Sequence, residues 1–187
     1  MIAKKTRRKS PSKLQVIDNF LPTNDFVTIK NIFTSEELAW YRVNGISGAD
    51  STNAIVNPLD NYYFVHILFM NYMQASSHFE AVKNPFTIAM KEHLGQSFRN
   101  ITRIKANLYP RTEEVQVHPF HSDTKDIVGL QGALLCLNTC DGYTGFEDGT
   151  EVDSVENRAI FFDSTKPHHS TSCSNAAYRL NININFL

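Results

Sequence analysis

The segment from Arg179 to Phe186 constrains the fold more than any other stretch, because polar and apolar residues alternate along it without a break. In a β-strand, successive side chains point to opposite faces of the sheet. One face of this segment carries Leu180, Ile182, Ile184 and Phe186, and the other carries Arg179, Asn181, Asn183 and Asn185. Burying an arginine is costly unless a charged or hydrated group lies against it. The segment therefore predicts a strand between an apolar core and a polar cavity.

A second alternating stretch, residues 102–109, predicts a partner strand for this layer. Its polar residues are Arg103, Lys105, Asn107 and Tyr109, and we expect them to face the same cavity. Other strand patterns occupy residues 14–20, 62–69, 126–139 and 158–163, whereas helical patterns follow Pro22, cover about 35–43 and open at Asn84-Pro85. Many short strands with few helices predict a mainly β fold, a double-stranded β-helix (jelly roll, cupin-like) with helices packed on one side.

Length and charge indicate one domain, residues 14–187, preceded by a basic disordered tail at residues 1–13. The tail contains six Lys and Arg and no acid, and removing those charges from the net charge of −1 leaves the rest at −7. An acidic domain argues against nucleic acid as the substrate. No apolar run has the length of a membrane span, so no membrane association is expected. The three cysteines form no paired framework; free thiols predict a cytoplasmic protein.

The motif His121-Ser122-Asp123 is the main candidate for chemistry. Residues 115–121 have a strand pattern that leads into it, so His121 and Asp123 would project from the same face. A later histidine, His168 or the adjacent His169, would complete a two-histidine, one-carboxylate set that binds Fe(II) and leaves coordination positions open. We prefer His168. His118 is a poor ligand candidate, because Phe120 occupies the position of its paired acid.

Arg179 follows the late histidines by ten or eleven residues. A guanidinium group binds a carboxylate through two parallel hydrogen bonds. The sequence therefore offers both a metal site and a site for a carboxylate ligand.

These features, taken in order, resemble the 2-oxoglutarate- and Fe(II)-dependent dioxygenase superfamily, in particular its prolyl 4-hydroxylase-like branch. The resemblance covers about residues 14–187 and rests on Val16-Ile17-Asp18-Asn19-Phe20-Leu21, Tyr109-Pro110, the His-x-Asp motif, Leu137-Asn138, Gly142-Tyr143-Thr144-Gly145-Phe146, the distal histidine and the arginine after it. His-x-Asp alone is a weak signal, whereas the ordered set is specific.

The resemblance implies that His121, Asp123 and His168 bind and use Fe(II), with Arg179 and Tyr109 holding 2-oxoglutarate. It also implies O2 as co-substrate, ascorbate as an auxiliary reductant, and hydroxylation of a prolyl residue in a peptide or protein. One position departs from the family pattern, because Cys136 stands where relatives often carry a tyrosine that helps to hold 2-oxoglutarate. Some other hydroxyl or amide would then assist Arg179.

Three alternatives remain at the level of sequence. The same fold hosts ligand-binding modules without catalysis. An oxygenase of this type could act on a free amino acid or another small molecule. Histidines and an aspartate also serve zinc hydrolases, although such an enzyme has no need of Arg179 in the cavity.

Overall fold

A long antiparallel sheet and a short one form the framework of this chain. The computed structural model describes residues 14–46, 59–96, 98, 100–123 and 127–187. The predicted tail at residues 1–13 lies outside these ranges. Within them the strands are β1 Gln15–Ile17, β2 Tyr41–Asn44, β3 Tyr62–Met70, β4 Met73–Gln74, β5 Ile101–Pro110, β6 Gln131–Cys136, β7 Tyr143–Phe146, β8 Glu151–Asp153, β9 Ala159–Asp163, β10 His168–Ser170 and β11 Tyr178–Phe186. The helices are α1 Thr23–Thr34 and α2 Phe79–Leu94.

The larger sheet has the strand order β1-β9-β6-β11-β5-β3-β2, with β4 paired to β3. The smaller sheet has the order β10-β7-β8, and every pairing in both sheets is antiparallel. The prediction of a mainly β jelly roll is confirmed. The C-terminal strand β11 lies between β5 and β6, so the alternating segment occupies the middle of the larger sheet.

The main apolar core lies between the larger sheet and the two helices. Helix α1 buries Phe26, Ile29 and Phe33, and α2 buries the face that includes Val82 and Phe86. The apolar residues of β11 join the same cluster and are at most 5% exposed. Full burial of side chains of this size stabilises the fold by about 1.5–3 kcal/mol each.

The local structure differs from the sequence prediction in three places. Residues 35–43 form turns and then β2 rather than a helix, because β3 supplies the backbone partners of Tyr41–Asn44. Helix α2 begins at Phe79 and contains Pro85 in its interior, rather than opening there.

The third difference concerns residues 115–121, which make only isolated bridges, Val117 with Thr171 and His121 with His168. Pro119 lies between these bridges, and a proline has no N–H to continue the ladder.

Among the described residues, neither helix has the length and apolar character that crossing a bilayer requires.

Candidate metal centre and carboxylate pocket

The backbone holds two of the predicted ligands directly opposite each other. His121 and His168 form an antiparallel bridge, in which each N–H donates to the carbonyl of the other at 2.9 Å. Their rings lie on the same side, with centroids 4.5 Å apart. The distance between the two imidazoles is therefore set mainly by the sheet.

Asp123 approaches this pair from the segment that follows His121. Its backbone N–H donates to the carbonyl of Ser164 at 3.0 Å, and one carboxylate oxygen lies 4.0 Å from Nε2 of His168. The three candidate ligand atoms all lie within 4.8 Å of one another. His121, Asp123 and His168 therefore come together as the sequence predicts.

Two side chains of the adjacent strands hold the carboxylate of Asp123. Arg103 donates to Oδ1 at 2.6 Å and Asn185 donates to Oδ2 at 2.7 Å. Arg103 also donates from Nε to the side-chain oxygen of Asn185 at 2.9 Å, which orients that amide. Burial would raise the pKa of Asp123, but the charge of Arg103, with His168 and Asn185 after it, outweighs burial and keeps the pKa below its usual value.

The protonation of these groups fits a divalent cation. Burial, and then the proximity of His168, lowers the pKa of His121 to about 4, so its imidazole is neutral at pH 7. Nδ1 of His168 lies 3.0 Å from the Lys166 carbonyl, which leaves Nε2 for the site. Nδ1 of His121 is buried without a hydrogen-bond partner. Two imidazoles and one carboxylate form the donor set that Fe(II) takes in oxygenases.

The neighbouring histidines have other surroundings. His169 stacks edge-on against Phe120 and lies close to Gly145, where an added Cβ would be 2.1 Å from Nε2 of the ring. His118 is 3% exposed, and its Nδ1 lies 2.8 Å from the Ser170 hydroxyl. Neither belongs to the cluster of candidate metal ligands in the described residues.

Arg179 is fully buried, and no Asp or Glu of the described residues forms an ion pair with it. Its guanidinium donates to the Thr171 carbonyl at 3.1 Å and to the Thr144 hydroxyl at 2.8 Å, whereas Nε has no partner. A buried cation without an anion is unfavourable, so this arrangement favours binding of a negatively charged ligand.

Arg179 and the candidate metal ligands line one cavity between the two sheets, with about 430 Å³ of empty space, part of it open to solvent. Its floor is a ladder of opposed pairs on β5 and β11: Tyr109 with Arg179, Asn107 with Asn181, and Lys105 with Asn183. The next pair, Arg103 with Asn185, reaches Asp123. The prediction that the polar face of residues 102–109 borders a cavity is confirmed for Lys105, Asn107 and Tyr109.

Tyr109 is 7% exposed, and its ring stacks on Tyr63 with centroids 5.4 Å apart. Burial raises the pKa of its hydroxyl, so the group stays protonated and is able to donate a hydrogen bond. Cys136 is fully buried and does not line the cavity, so it is not placed to contact a ligand there. Thr144 supplies a hydroxyl beside Arg179.

Sequence reasoning missed three contributions to this site: Thr144 as a partner of Arg179, and Arg103 with Asn185 as partners of Asp123. Alternation placed Arg103 and Asn185 on the cavity face, but nothing in the sequence indicated their register relative to Asp123.

No protein-family model matches this chain, and no curated protein does. Solved structures do match. A prolyl-4-hydroxylase from Pseudomonas putida aligns with 94% of this chain and 93% of its own, at a TM-score of 0.55 and 17% identity. A 2OG-Fe(II) oxygenase family protein from Burkholderia pseudomallei aligns with 92% of this chain and 84% of its own, at a TM-score of 0.65 and 11% identity.

A third match is a prolyl hydroxylase from Trichoplax adhaerens in complex with a peptide fragment of hypoxia inducible factor. It aligns with 95% of this chain and 84% of its own, at a TM-score of 0.60 and 17% identity. This chain has the 2OG-Fe(II) oxygenase fold. Identities in this range establish the fold alone.

Proposed function

We propose that this protein is a 2-oxoglutarate- and Fe(II)-dependent dioxygenase that hydroxylates an unactivated C–H bond. One observation carries the proposal: a His-Asp-His cluster and a buried arginine without an anionic partner line the same cavity. A metal hydrolase or a binding module does not require this combination.

In this proposal His121, Asp123 and His168 hold the iron, and Arg179 holds the far carboxylate of 2-oxoglutarate. When bound, the iron would supply the oxidising chemistry, with O2 as the oxidant and 2-oxoglutarate as the co-substrate that is converted to succinate and carbon dioxide. The Thr144 hydroxyl, bonded to Arg179, and the protonated Tyr109 are the additional groups we assign to the co-substrate. We assign to these two groups the role of the tyrosine that relatives often carry at the position of Cys136.

The remaining walls of the cavity support the same assignment. Leu134 and Phe162 face it from the larger sheet, and the Phe162 ring lies 4.8 Å from the ring of His168. Apolar groups beside a metal site limit the entry of water and strengthen the electrostatic interactions inside it. Ascorbate as reductant and a cytoplasmic location remain predictions.

Two substrate candidates follow. The structural similarity to prolyl hydroxylases, one of them in complex with a peptide, favours a prolyl residue in a peptide or protein. The polar floor of the cavity favours the second candidate, a free amino acid or another small polar molecule.

An anaerobic titration with Fe(II) and 2-oxoglutarate tests the proposed function. We expect the weak visible absorption band of an iron complex with a bound 2-oxo acid in the wild-type protein and its loss in Asp123→Ala. Arg179→Met should keep the band but need roughly 10- to 100-fold more 2-oxoglutarate, because it loses charge-assisted hydrogen bonds. Arg179→Lys should lie between the two.

Matched controls use exposed residues of the same types, Asp153→Ala and Arg42→Met, which should titrate like the wild type. Circular dichroism checks that each variant is folded. An unchanged band in Asp123→Ala would falsify the assignment of the metal site, and no band in the folded wild type would leave a binding module as the better account.

A further inference from the structure

The cavity contains a second cation, Lys105, that the proposed function does not use. Its side chain lines the cavity, and its ammonium lies 5.5 Å from the centroid of the Tyr63 ring. No carboxylate or other hydrogen-bond acceptor among the described residues pairs with it. The nearest acid of the site, Asp123, already accepts from Arg103 and Asn185.

The surroundings of Lys105 make this lack of a partner costly. Burial, and then the positive charge of Arg103, lowers its pKa to about 8. A lysine whose only role is to keep the protein soluble would lie in bulk water, where its ammonium group pays no desolvation free energy. A protonated Lys105 in this position is instead stabilised by any anion that enters the cavity.

Two amide oxygens beside Lys105 also lack partners. Oδ1 of Asn107 and Oδ1 of Asn183 are buried and accept no hydrogen bond. Asn183 lies directly opposite Lys105 on β11, and Asn107 is two residues along the same face of β5. These oxygens are acceptors, so a ligand that satisfies them must bring N–H or O–H groups.

Lys105 and Arg179 face different parts of the cavity. Arg179 pairs in register with Tyr109, which is four residues from Lys105, or about 13 Å along the strand. The guanidinium of Arg179 contacts Thr144 and Thr171, whereas the ammonium of Lys105 lies over Tyr63 of β3. The two cations are therefore suited to two different anionic groups.

We infer that Lys105, together with Asn107 and Asn183, binds the carboxylate and the N–H or O–H groups of the primary substrate, which is therefore a small molecule of the amino-acid class. The inference rests on the proposed function and selects its second substrate candidate. An internal prolyl residue of a peptide has no carboxylate for Lys105.

Isothermal titration calorimetry tests this inference on the full chain, loaded anaerobically with Fe(II) and 2-oxoglutarate. The probes are the twenty free L-amino acids and, for each one that binds, its carboxamide, which lacks the negative charge. Succinate formation in air is then measured with the same probes. We expect at least one amino acid to bind and to increase succinate formation, and its carboxamide to bind at least tenfold more weakly.

Three lysine variants locate the effect. Lys105→Met should weaken binding of that amino acid roughly 10- to 100-fold, the loss expected for a hydrogen bond between charged groups. Lys105→Arg should restore part of the affinity, and the exposed Lys91→Met on α2 should behave like the wild type. Asn183→Ala provides a second test within the same site, with a smaller loss.

Several results would overturn the inference. These are equal binding of amino acids and carboxamides, no binding by any amino acid, or Lys105→Met weakening 2-oxoglutarate rather than the amino acid. Equal turnover of a capped, uncharged prolyl peptide by the wild type and Lys105→Met would also count against it. Failure of the proposed function looks different, because the wild-type protein would then show no iron and 2-oxoglutarate band, while calorimetry would still report whether amino acids bind through Lys105.

Discussion

The two faces of the layer formed by β5 and β11 have opposite properties, although the same two strands build both. On the helix side, side chains such as Ile104, Ile182 and Ile184 are completely buried in the core that α1 and α2 cover. On the cavity side lie all four of the buried polar atoms that lack a partner in the described part of the chain, on Asn107, His121, Arg179 and Asn183. One face contributes free energy of folding, whereas the other retains unsatisfied groups that a ligand can satisfy.

The largest effect should come from the two adjacent histidines, which differ only in the direction they face. His168→Ala should reduce Fe(II) affinity by more than 100-fold and abolish turnover, because even residues behind metal ligands cost 10- to 100-fold when removed. His169→Ala should keep iron binding, since this ring contacts Phe120. Equilibrium dialysis of Fe(II) under anaerobic conditions measures both; equal losses would remove the distinction between them.

Neighbouring substitutions on β11 test the contrast in stability. Ile182→Ala should lower the free energy of unfolding by about 2–5 kcal/mol, because it leaves a cavity in the core. Asn183→Ala should change it by less than about 1 kcal/mol, since it removes an oxygen that already lacks a partner. Urea denaturation of the metal-free protein gives both values, and a larger loss for Asn183→Ala would contradict the division of roles.

The contacts to Asp123 come next in size. Arg103→Met leaves Asp123 with one donor and also frees the Asn185 amide to rotate. We expect Fe(II) affinity to fall roughly 10- to 100-fold, the cost typical of groups that orient a metal ligand. Arg111→Met, an exposed arginine on the border of another pocket, is the control. Unchanged iron affinity in Arg103→Met would show that Asp123 does not depend on this contact.

The smallest effect, measured over a single pH unit, should be the pH dependence of stability that buried His118 contributes. Burial, and then the charge of Arg179, lowers the pKa of His118 to about 3. The unfolded chain therefore binds this proton first on acidification, so the stability contributed by neutral His118 is complete above about pH 6.5. It is lost as the pH falls towards 3, at about 1.4 kcal/mol per pH unit once the unfolded histidine is protonated.

Urea denaturation of the metal-free protein at pH 5.5 and 4.5 measures this slope. His118→Asn keeps a polar group near Ser170 but cannot titrate, so its stability should depend less steeply on pH. The same slope in both proteins would show that His118 is not the group responsible.

The sequence predicted the strands whose two faces meet different environments. Alternation in residues 102–109 and 179–186 gave both the core and the cavity face of the layer, and the ordered motifs brought His121, Asp123 and His168 together. Residues 35–43 were predicted wrongly because their apolar spacing also suits a helix, and only pairing with β3 decides between the two structures. The strand predicted at residues 115–121 is reduced to isolated bridges because Pro119, which lies between them, has no N–H to continue the ladder.

The contacts around Asp123 could not be predicted from the sequence, for a related reason. Arg103, Asn185 and Asp123 are far apart in the chain, and Arg103 meets Asn185 because β11 pairs with β5 in the register that sets these two residues opposite each other. Local patterns specify which face a side chain occupies. They do not specify which residue of another strand it meets.

The hydrogen-bonded bridge between His121 and His168 has a further consequence for metal exchange. Because backbone hydrogen bonds fix the spacing of the two imidazoles, we expect the metal site to be preformed in the metal-free protein. A chelator should then remove the metal while the protein stays folded. A zinc finger, in contrast, unfolds when its metal is removed. The metal-free and metal-bound forms of such a protein would interconvert without unfolding. The rate of metal uptake would then depend on the availability of the metal and not on a folding step.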